Sequence, residues 1–319
     1  MEMGESVDVP LTILKGVRED VLAKLVAHRG FHDTSDRKTR PLENTERAYS
    51  SAWSALTFAE CDIQTSKDGA IFLCHDRNFK RLSDSKVAET DVSKLTSEQI
   101  LSIRLIDGSK PCLLEDVLSV AKKRSSEFNQ KKLIVEIKST ASPDLVDKLI
   151  QMFKERPSLL NCVGVFMSFK HSIVRDLIAR FDATFASKEF ASGSLKRKKS
   201  MYRPKFMLLC RDMSRCPEMT ESKLKDVVKR EGCHNFYSSA QTAELRALLK
   251  RTKADGVYLQ YSPKMLDRDL PSLMKLCKAC LVGCWGSSSR KDPDSCVLAC
   301  KLSMAGVSYI NTDMPTHFK

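Results

Sequence analysis

No run of about 18 consecutive apolar residues occurs in the chain. A helix needs roughly that length to cross hydrocarbon, so a membrane span is not expected. A basic-then-apolar leader is also missing. Met1 to Asp20 is mixed and acidic, which does not read as a secretory signal and sets cytoplasmic residence as the expectation. Glycine and proline are scarce, at 12 and 11 residues, and nowhere form a linker long enough to divide the chain. Residues 1–319 therefore read as a single domain. There is no internal repeat. No Gly-rich fingerprint follows the first strand, which weighs against a nucleotide-binding open sheet. No nucleic-acid module or aromatic–basic stripe appears, so nucleic acid is not expected as a partner.

The chain has 42% hydrophobic and 29% charged residues, enough for a full core. Its net charge of +13 favours an anionic partner, whether nucleic acid, membrane surface or phosphorylated substrate. Part of that charge is local. Leu195-Lys196-Arg197-Lys198-Lys199 lies in a basic loop over 188–205. That loop has three readings: a peripheral membrane contact, a nuclear import signal, or a solvated segment with no specific role. The chain has twelve cysteines, and most of them, such as Cys61, Cys74, Cys162 and Cys210, sit in apolar runs and read as reduced core residues. Cys277, Cys280 and Cys284, with Cys296 and Cys300, come nearest to zinc spacing. Their placement on an apolar strand, Ala279 to Trp285, and on one helix face favours buried thiols instead.

Short apolar runs alternate with helical patterns along the whole chain. Strands are expected at Leu25–Ala27, Phe58–Thr65, Ala70–His75, Leu133–Lys138, Cys162–Phe169, Lys205–Cys210, Val257–Gln260, Cys280–Trp285 and Val307–Asn311. Helices are expected between most of them, including Asn44–Leu56, Leu114–Arg124 and Ile173–Phe181. Near-continuous apolar strands separated by helices argue for a mostly parallel sheet covered by helices. At this length the natural closure is an α/β (β/α)8 barrel, somewhat irregular, with a doubly wound open sheet as the alternative. The candidates exceed eight by one, so one strand lies outside the barrel. Ala183–Ser187 is a further strand candidate of unclear register.

Two of these strands carry paired ionisable side chains at spacing two. Glu60 and Asp62 share one face of Phe58–Thr65, and Glu136 and Lys138 share one face at the end of the fourth strand. Three carboxylates and an ammonium at the ends of apolar strands are costly to bury unless they bind something. Hard oxygen donors suit Mg²⁺, Ca²⁺ or Mn²⁺ rather than zinc. Other polar groups also fall at carboxyl ends of strands: His28 and Arg29, His75 and Asp76, then Ser168, Trp285 and Asp313. In a barrel these ends share one rim. Arg29 and Lys138 are suited to phosphate oxygens. His28 and His75 offer a base and an acid near neutral pH. This set is sufficient to displace an alcohol from a phosphodiester. His32, His171, His234 and His317 show no partner pattern.

The order His28-Arg29-Gly30, Pro41-Leu42-Glu43-Asn44-Thr45, Glu60-Cys61-Asp62, Lys67-Asp68-Gly69 and His75-Asp76 resembles the glycerophosphodiester phosphodiesterase family. Pro111 to Leu118, Glu136-Ile137-Lys138, Ser168-Phe169 and Asn311-Thr312-Asp313-Met314-Pro315 continue the match, so the motifs span 28–315. The resemblance implies a barrel phosphodiesterase that uses a divalent cation. It implies His28 and His75 as the acid/base pair and Glu60, Asp62 and Glu136 as metal ligands. It further implies Arg29 and Lys138 as phosphate contacts, with Glu43 and Asn44 in support beside the site. Three departures stand out. A Trp-Thr-Val-Asn run common in the family reads Trp285-Gly286-Ser287-Ser288 here, which leaves Trp285 as a wall for substrate. The stretch from His75 to Leu113 is short, so a large inserted substrate domain is not expected. The segment Phe31–Arg40 is long enough to form a flap.

The expected reaction is metal-dependent hydrolysis of a small-molecule glycerophosphodiester to glycerol 3-phosphate and an alcohol. Two alternatives use the same residues. One is lysophospholipase D-type cleavage of lysophospholipid headgroups. The other is a phosphate-binding barrel without catalysis, which the intact histidines and carboxylates oppose.

Overall fold

A computed structural model describes residues 18–32, 41–127, 129–185, 202–211, 242–286 and 295–313. The strands are β1 (Leu25–Ala27), β2 (Phe58–Thr65), β3 (Ile71–Leu73), β4 (Lys132–Ile137), β5 (Val163–Ser168), β6 (Lys205–Cys210), β7 (Gly256–Gln260), β8 (Leu281–Trp285) and β9 (Tyr309–Thr312). β1 pairs in parallel with both β2 and β9, which closes the ring β1-β2-β4-β5-β6-β7-β8-β9. The eight parallel strands form a (β/α)8 barrel. The ninth, β3, runs antiparallel on β2 and stands outside the ring, as the strand count requires.

Helices cover the outside. They are α1 (Glu19–Leu22), α2 (Glu46–Ala55), α3 (Ser97–Ser102), α4 (Leu114–Arg124), α5 (Leu145–Glu155), α6 (Pro157–Leu160), α7 (His171–Phe185), α8 (Thr242–Thr252), α9 (Leu270–Ala279) and α10 (Cys296–Met304). In α5, Leu145, Val146, Leu149, Ile150 and Phe153 recur at three and four residues and are buried, so one stripe of the helix packs on the barrel. Three sequence expectations change. Ala183 to Phe185 belongs to α7, because the apolar spacing of Val174, Leu177, Ile178, Phe181 and Phe185 continues at helical period. Cys280 caps α9 rather than starting β8. Asn44 lies outside α2, which starts after the cap Thr45, whose hydroxyl accepts the Ala48 N–H. Most of the 188–205 loop and of Phe31–Arg40, along with His234 and His317, lies outside the described residues.

Side chains alternate between the two faces of the barrel wall. Val26, Ile134, Val165, Met167, Met207, Leu209 and Tyr258 fill the interior. The opposite faces of the same strands join the larger core under the helices. The segment between β3 and α4 packs against β3 and the residues before α2. Phe79, Leu82, Ala88, Val92, Leu95 and Ile100 build a small apolar cluster with Leu42 and Phe72 beside the rim. Tyr258 crosses the interior, its hydroxyl donating to Asn311 Oδ1. It has room because β8 carries Gly283, where a Cβ would lie 2.4 Å from the Tyr258 ring. Both strands are fixed in the ring, so Gly283→Ala is expected to destabilise the fold by about 1–3 kcal/mol, the usual cost of overpacking a core. Denaturant unfolding of the variant checks it, and an unchanged midpoint would contradict the packing described.

Candidate active site

The carboxyl ends of β1, β2 and β4 bring the charged residues together. Asp62 and Glu136 are register partners on adjacent strands, with Glu60 two residues earlier on β2. Donor oxygens of Glu60, Asp62 and Glu136 all lie within 4.8 Å of one another. All three carboxylates are buried, Glu60 and Asp62 at 1% exposure and Glu136 at 7%. Like charges this close repel strongly out of water. Lys138 Nζ answers from above, 2.8 Å from Glu136 Oε1 and 3.2 Å from Asp62 Oδ1. Arg29 Nε lies 3.3 Å from Asp62 Oδ2. Burial disfavours the charge on Asp62, but Lys138 and Arg29 overcome it and hold this carboxyl far below the usual range. Glu60 fares differently: burial and the Asp62 charge push it up to about 8. Glu60 Oε1 is buried with no hydrogen-bond partner. A buried carboxylate oxygen with nothing to accept, in a cluster of hard donors, fits a divalent cation held by these three residues.

Backbone strain aims the neighbouring groups. Arg29 and Asn44 both have left-handed backbones, at φ 53° and 56°. The Asn44 N–H donates to the Arg29 carbonyl at 3.0 Å, so the two residues lock each other. This turn delivers the Arg29 N–H to Glu60 Oε2 at 3.1 Å. It also delivers Asn44 Nδ2 to Asp62 Oδ2 at 3.2 Å. The Tyr49 hydroxyl donates to Asn44 Oδ1 at 2.6 Å and so fixes which way the amide points. Gly30 follows at φ 79°, where any Cβ would strike the Ala48 backbone at 2.7 Å. Strain of this kind persists where the surroundings over-determine it.

Each site histidine has its own carboxylate. His28 Nδ1 pairs with Asp313 at the end of β9, and its Nε2 lies 3.8 Å from Glu60 Oε2. Burial opposes the imidazolium most strongly, but the charge and hydrogen bond of Asp313 together with the Glu60 charge outweigh it and push His28 up to about 9. His75 Nδ1 is 2.8 Å from Asp76 Oδ1. Gln64 Nε2 donates to the Cys74 carbonyl at 3.0 Å and to that of Asp76, which pins the turn carrying His75 to β2. With each Nδ1 held by a carboxylate, Nε2 is left as the nitrogen for chemistry. The sequence singled out His28 and His75 but did not pair them. Asp76 is adjacent in sequence, whereas Asp313 is 285 residues from His28 and only barrel closure joins them.

Glu43 is buried and holds two arginines. Arg29 Nη1 donates to it at 3.1 Å, and Arg81 grips both its oxygens at 2.7 Å each. Sequence reading missed Arg81, because a loop arginine has no period to betray it. Trp285 stands away from these charges. Its ring meets Phe169 edge-on at 5.6 Å, and its Nε1 donates to the Cys210 carbonyl at 3.1 Å. The Arg211 guanidinium lies 4.5 Å from the Phe169 ring centre. Ser168 faces elsewhere and donates to the Ile137 carbonyl. His32 is 6.4 Å from His28, centre to centre, and burial lowers its pKa to about 4, so it stays neutral near pH 7.

Burial alone would raise the Glu43 pKa, but the Arg81 hydrogen bonds and Arg29 lower it from 4.5 to about 2. A depressed carboxyl stabilises the fold above its unfolded value and loses that contribution as pH falls through the folded one. The shift is worth on the order of 3 kcal/mol. Glu43→Gln is therefore expected to flatten the fall in stability between pH 4.5 and about 2. Chemical unfolding across that range tests this, and an acid limb as steep as that of the unaltered protein would contradict it.

Residues 28–261 match the model of the glycerophosphoryl diester phosphodiesterase family. Solved structures agree in fold. A glycerophosphodiester phosphodiesterase from Parabacteroides distasonis is 21% identical, with 92% of this chain and 93% of that one covered and a TM-score of 0.58. The glycerophosphodiester phosphodiesterase of Thermotoga maritima is 18% identical, with coverage of 92% and 96% and a TM-score of 0.55. An Oleispira antarctica phosphodiesterase, solved with the product sn-glycerol-3-phosphate, is 13% identical, with coverage of 92% and 94% and a TM-score of 0.56. No curated protein matches the chain. With nearly three-quarters of its length inside the family model, the chain belongs to the glycerophosphoryl diester phosphodiesterase family and is a phosphoric diester hydrolase.

Proposed function

We propose that this enzyme cleaves glycerophosphodiesters to glycerol 3-phosphate and an alcohol, with His28 and His75 as the acid/base pair. One observation carries the reading: two carboxylate-held histidines share a barrel mouth with a buried acidic triad and two cationic side chains. Charge supports it. With Glu60 ionised, as a bound cation would hold it, the triad outweighs Arg29 and Lys138 by one negative charge, while Glu43 and Arg81 cancel. A divalent cation held by the triad would reverse that sign, to the charge that a monoanionic phosphodiester balances.

Glu60, Asp62 and Glu136 would hold the cation, which when bound supplies positive charge to the phosphate oxygens as negative charge develops there. Arg29 and Lys138, both in contact with Asp62, orient the phosphate. One histidine Nε2 takes the proton of the attacking hydroxyl. As the phosphorus–oxygen ester bond breaks, the other Nε2 gives its proton to the departing alcohol. The nucleophile is water, or a neighbouring substrate hydroxyl that first gives a cyclic phosphate. Mg²⁺, Ca²⁺ and Mn²⁺ all suit the oxygen donors.

The aromatic pair Phe169–Trp285 favours a second reading on the substrate side. It offers an apolar wall that a lysophospholipid would use. A peripheral membrane contact through the 188–205 loop and cytoplasmic residence rest on the sequence alone.

Purified protein is expected to release glycerol 3-phosphate from glycerophosphocholine with Mg²⁺ or Ca²⁺, and to stop when EDTA is added. Release unaffected by EDTA would remove the cation from the scheme. His28→Ala and His75→Ala should each lower turnover by at least roughly a hundredfold with the fold intact. Near-normal turnover in either would end its assignment. Cleavage of lysophosphatidylcholine in preference to glycerophosphocholine would select the second reading. A saturating cation should also raise the melting temperature, with about 2.7 kcal/mol gained at a hundred times the dissociation constant. That gain should vanish in the variant Glu60→Gln with Asp62→Asn.

A further inference from the structure

Arg81 takes no part in the scheme above, yet it touches both halves of the site. It sits in the loop after His75, between Phe79 and Leu82, which are buried at 2% and 6% exposure in the cluster beside the rim. These anchors fix the loop on both sides of the arginine. Arg81 Nη1 donates to Glu43 Oε2 and Nη2 to Glu43 Oε1, both at 2.7 Å. Its Nε donates to Asp76 Oδ2 at 2.8 Å. The other oxygen of Asp76 meets His75 Nδ1 at 2.8 Å. Glu43 Oε1 also accepts from Arg29 Nη1 at 3.1 Å. A continuous path therefore runs His75–Asp76–Arg81–Glu43–Arg29.

We propose that Arg81 is a positioning residue: its one guanidinium sets the His75 imidazole through Asp76 and the Arg29 guanidinium through Glu43. The inference rests on the roles given above to His75 and Arg29. Geometry rather than charge makes the case. The Arg81 side chain is 43% exposed, so its Coulomb attraction is screened by water. What only an arginine offers is a planar fork that binds one carboxylate with two nitrogens and a second carboxylate with the third. A lysine can reach one of the two carboxylates but cannot hold both. The rival explanation is that Arg81 merely neutralises buried Glu43. A structural role of that kind costs the same whether or not His75 is present.

The test compares Arg81→Lys and Arg81→Gln in the unaltered protein and in His75→Ala, with Mg²⁺ and glycerophosphocholine. In the unaltered background, kcat is expected to fall roughly tenfold for Arg81→Lys and further for Arg81→Gln. In His75→Ala the same changes should lower kcat less than threefold. The rise in KM, which reads the Arg29 branch, should persist in both. Equal kcat losses in the two backgrounds, or unaltered kcat in Arg81→Gln, would overturn the proposal. The ¹⁵N imidazole signals of His75, assigned by their loss in His75→Ala, give a readout that needs no turnover. The Asp76 contact should hold the ring in its Nδ1–H tautomer, and Arg81→Lys should admit the other. If the unaltered protein does not cleave the diester, or His75→Ala does not slow it, the acid/base reading has failed. The imidazole spectrum then decides on Arg81 alone, and unchanged signals in both variants would overturn its positioning role.

Discussion

Mutual repulsion among three buried carboxylates is the constraint around which the barrel mouth is built. Strand register aims Glu60, Asp62 and Glu136 at one spot, and their burial leaves the carboxylates little room to turn away. Two cations stand close above them, and they do not suffice. Glu60 is driven toward its neutral form, and one of its oxygens has no donor. A site with this imbalance stores a preference for added positive charge. Its neighbours serve the same end: the strained turn at Arg29 and Asn44 spends backbone and amide N–H groups on Glu60 and Asp62.

The same constraint accounts for the polar network on one side of the rim. Buried Glu43 would be an isolated charge without its two arginines. On the other side of the mouth the residues turn aromatic, with Trp285 edge-on to Phe169 and the Arg211 guanidinium over the Phe169 ring. The mouth thus has two chemically different walls, which suits the glycerophosphodiester proposed above, with its charged phosphate and variable alcohol.

Much of this was legible in the sequence because strands have period two. Glu60 with Asp62, and Glu136 with Lys138, could be assigned to one face before any fold was known. The alternation of apolar runs with helices pointed to a closed barrel with one surplus strand, which pairing identifies as β3. What the sequence hid lies in loops and in closure. Asn44 follows helical spacing in the sequence, yet its left-handed backbone places it before the cap of α2. Ala183 to Phe185 has strand-like composition, but the preceding helical stripe runs through it. The partner of His28 comes from the last strand because the ring closes there. Arg81 binds two carboxylates from a loop whose path depends on a small cluster around Phe79 and Leu82. No periodicity marks either contact.

The claim at the centre is that the acidic triad holds a divalent cation at the phosphate. A crystal structure of the protein with Mn²⁺ and glycerol 3-phosphate, phased to show the anomalous signal of the metal, tests it most directly. The structure should show one strong peak among Glu60, Asp62 and Glu136, with a phosphate oxygen against it and Arg29 and Lys138 on the remaining phosphate oxygens. A phosphate seated in the barrel mouth with no peak at the triad, or a peak at other residues, would contradict it.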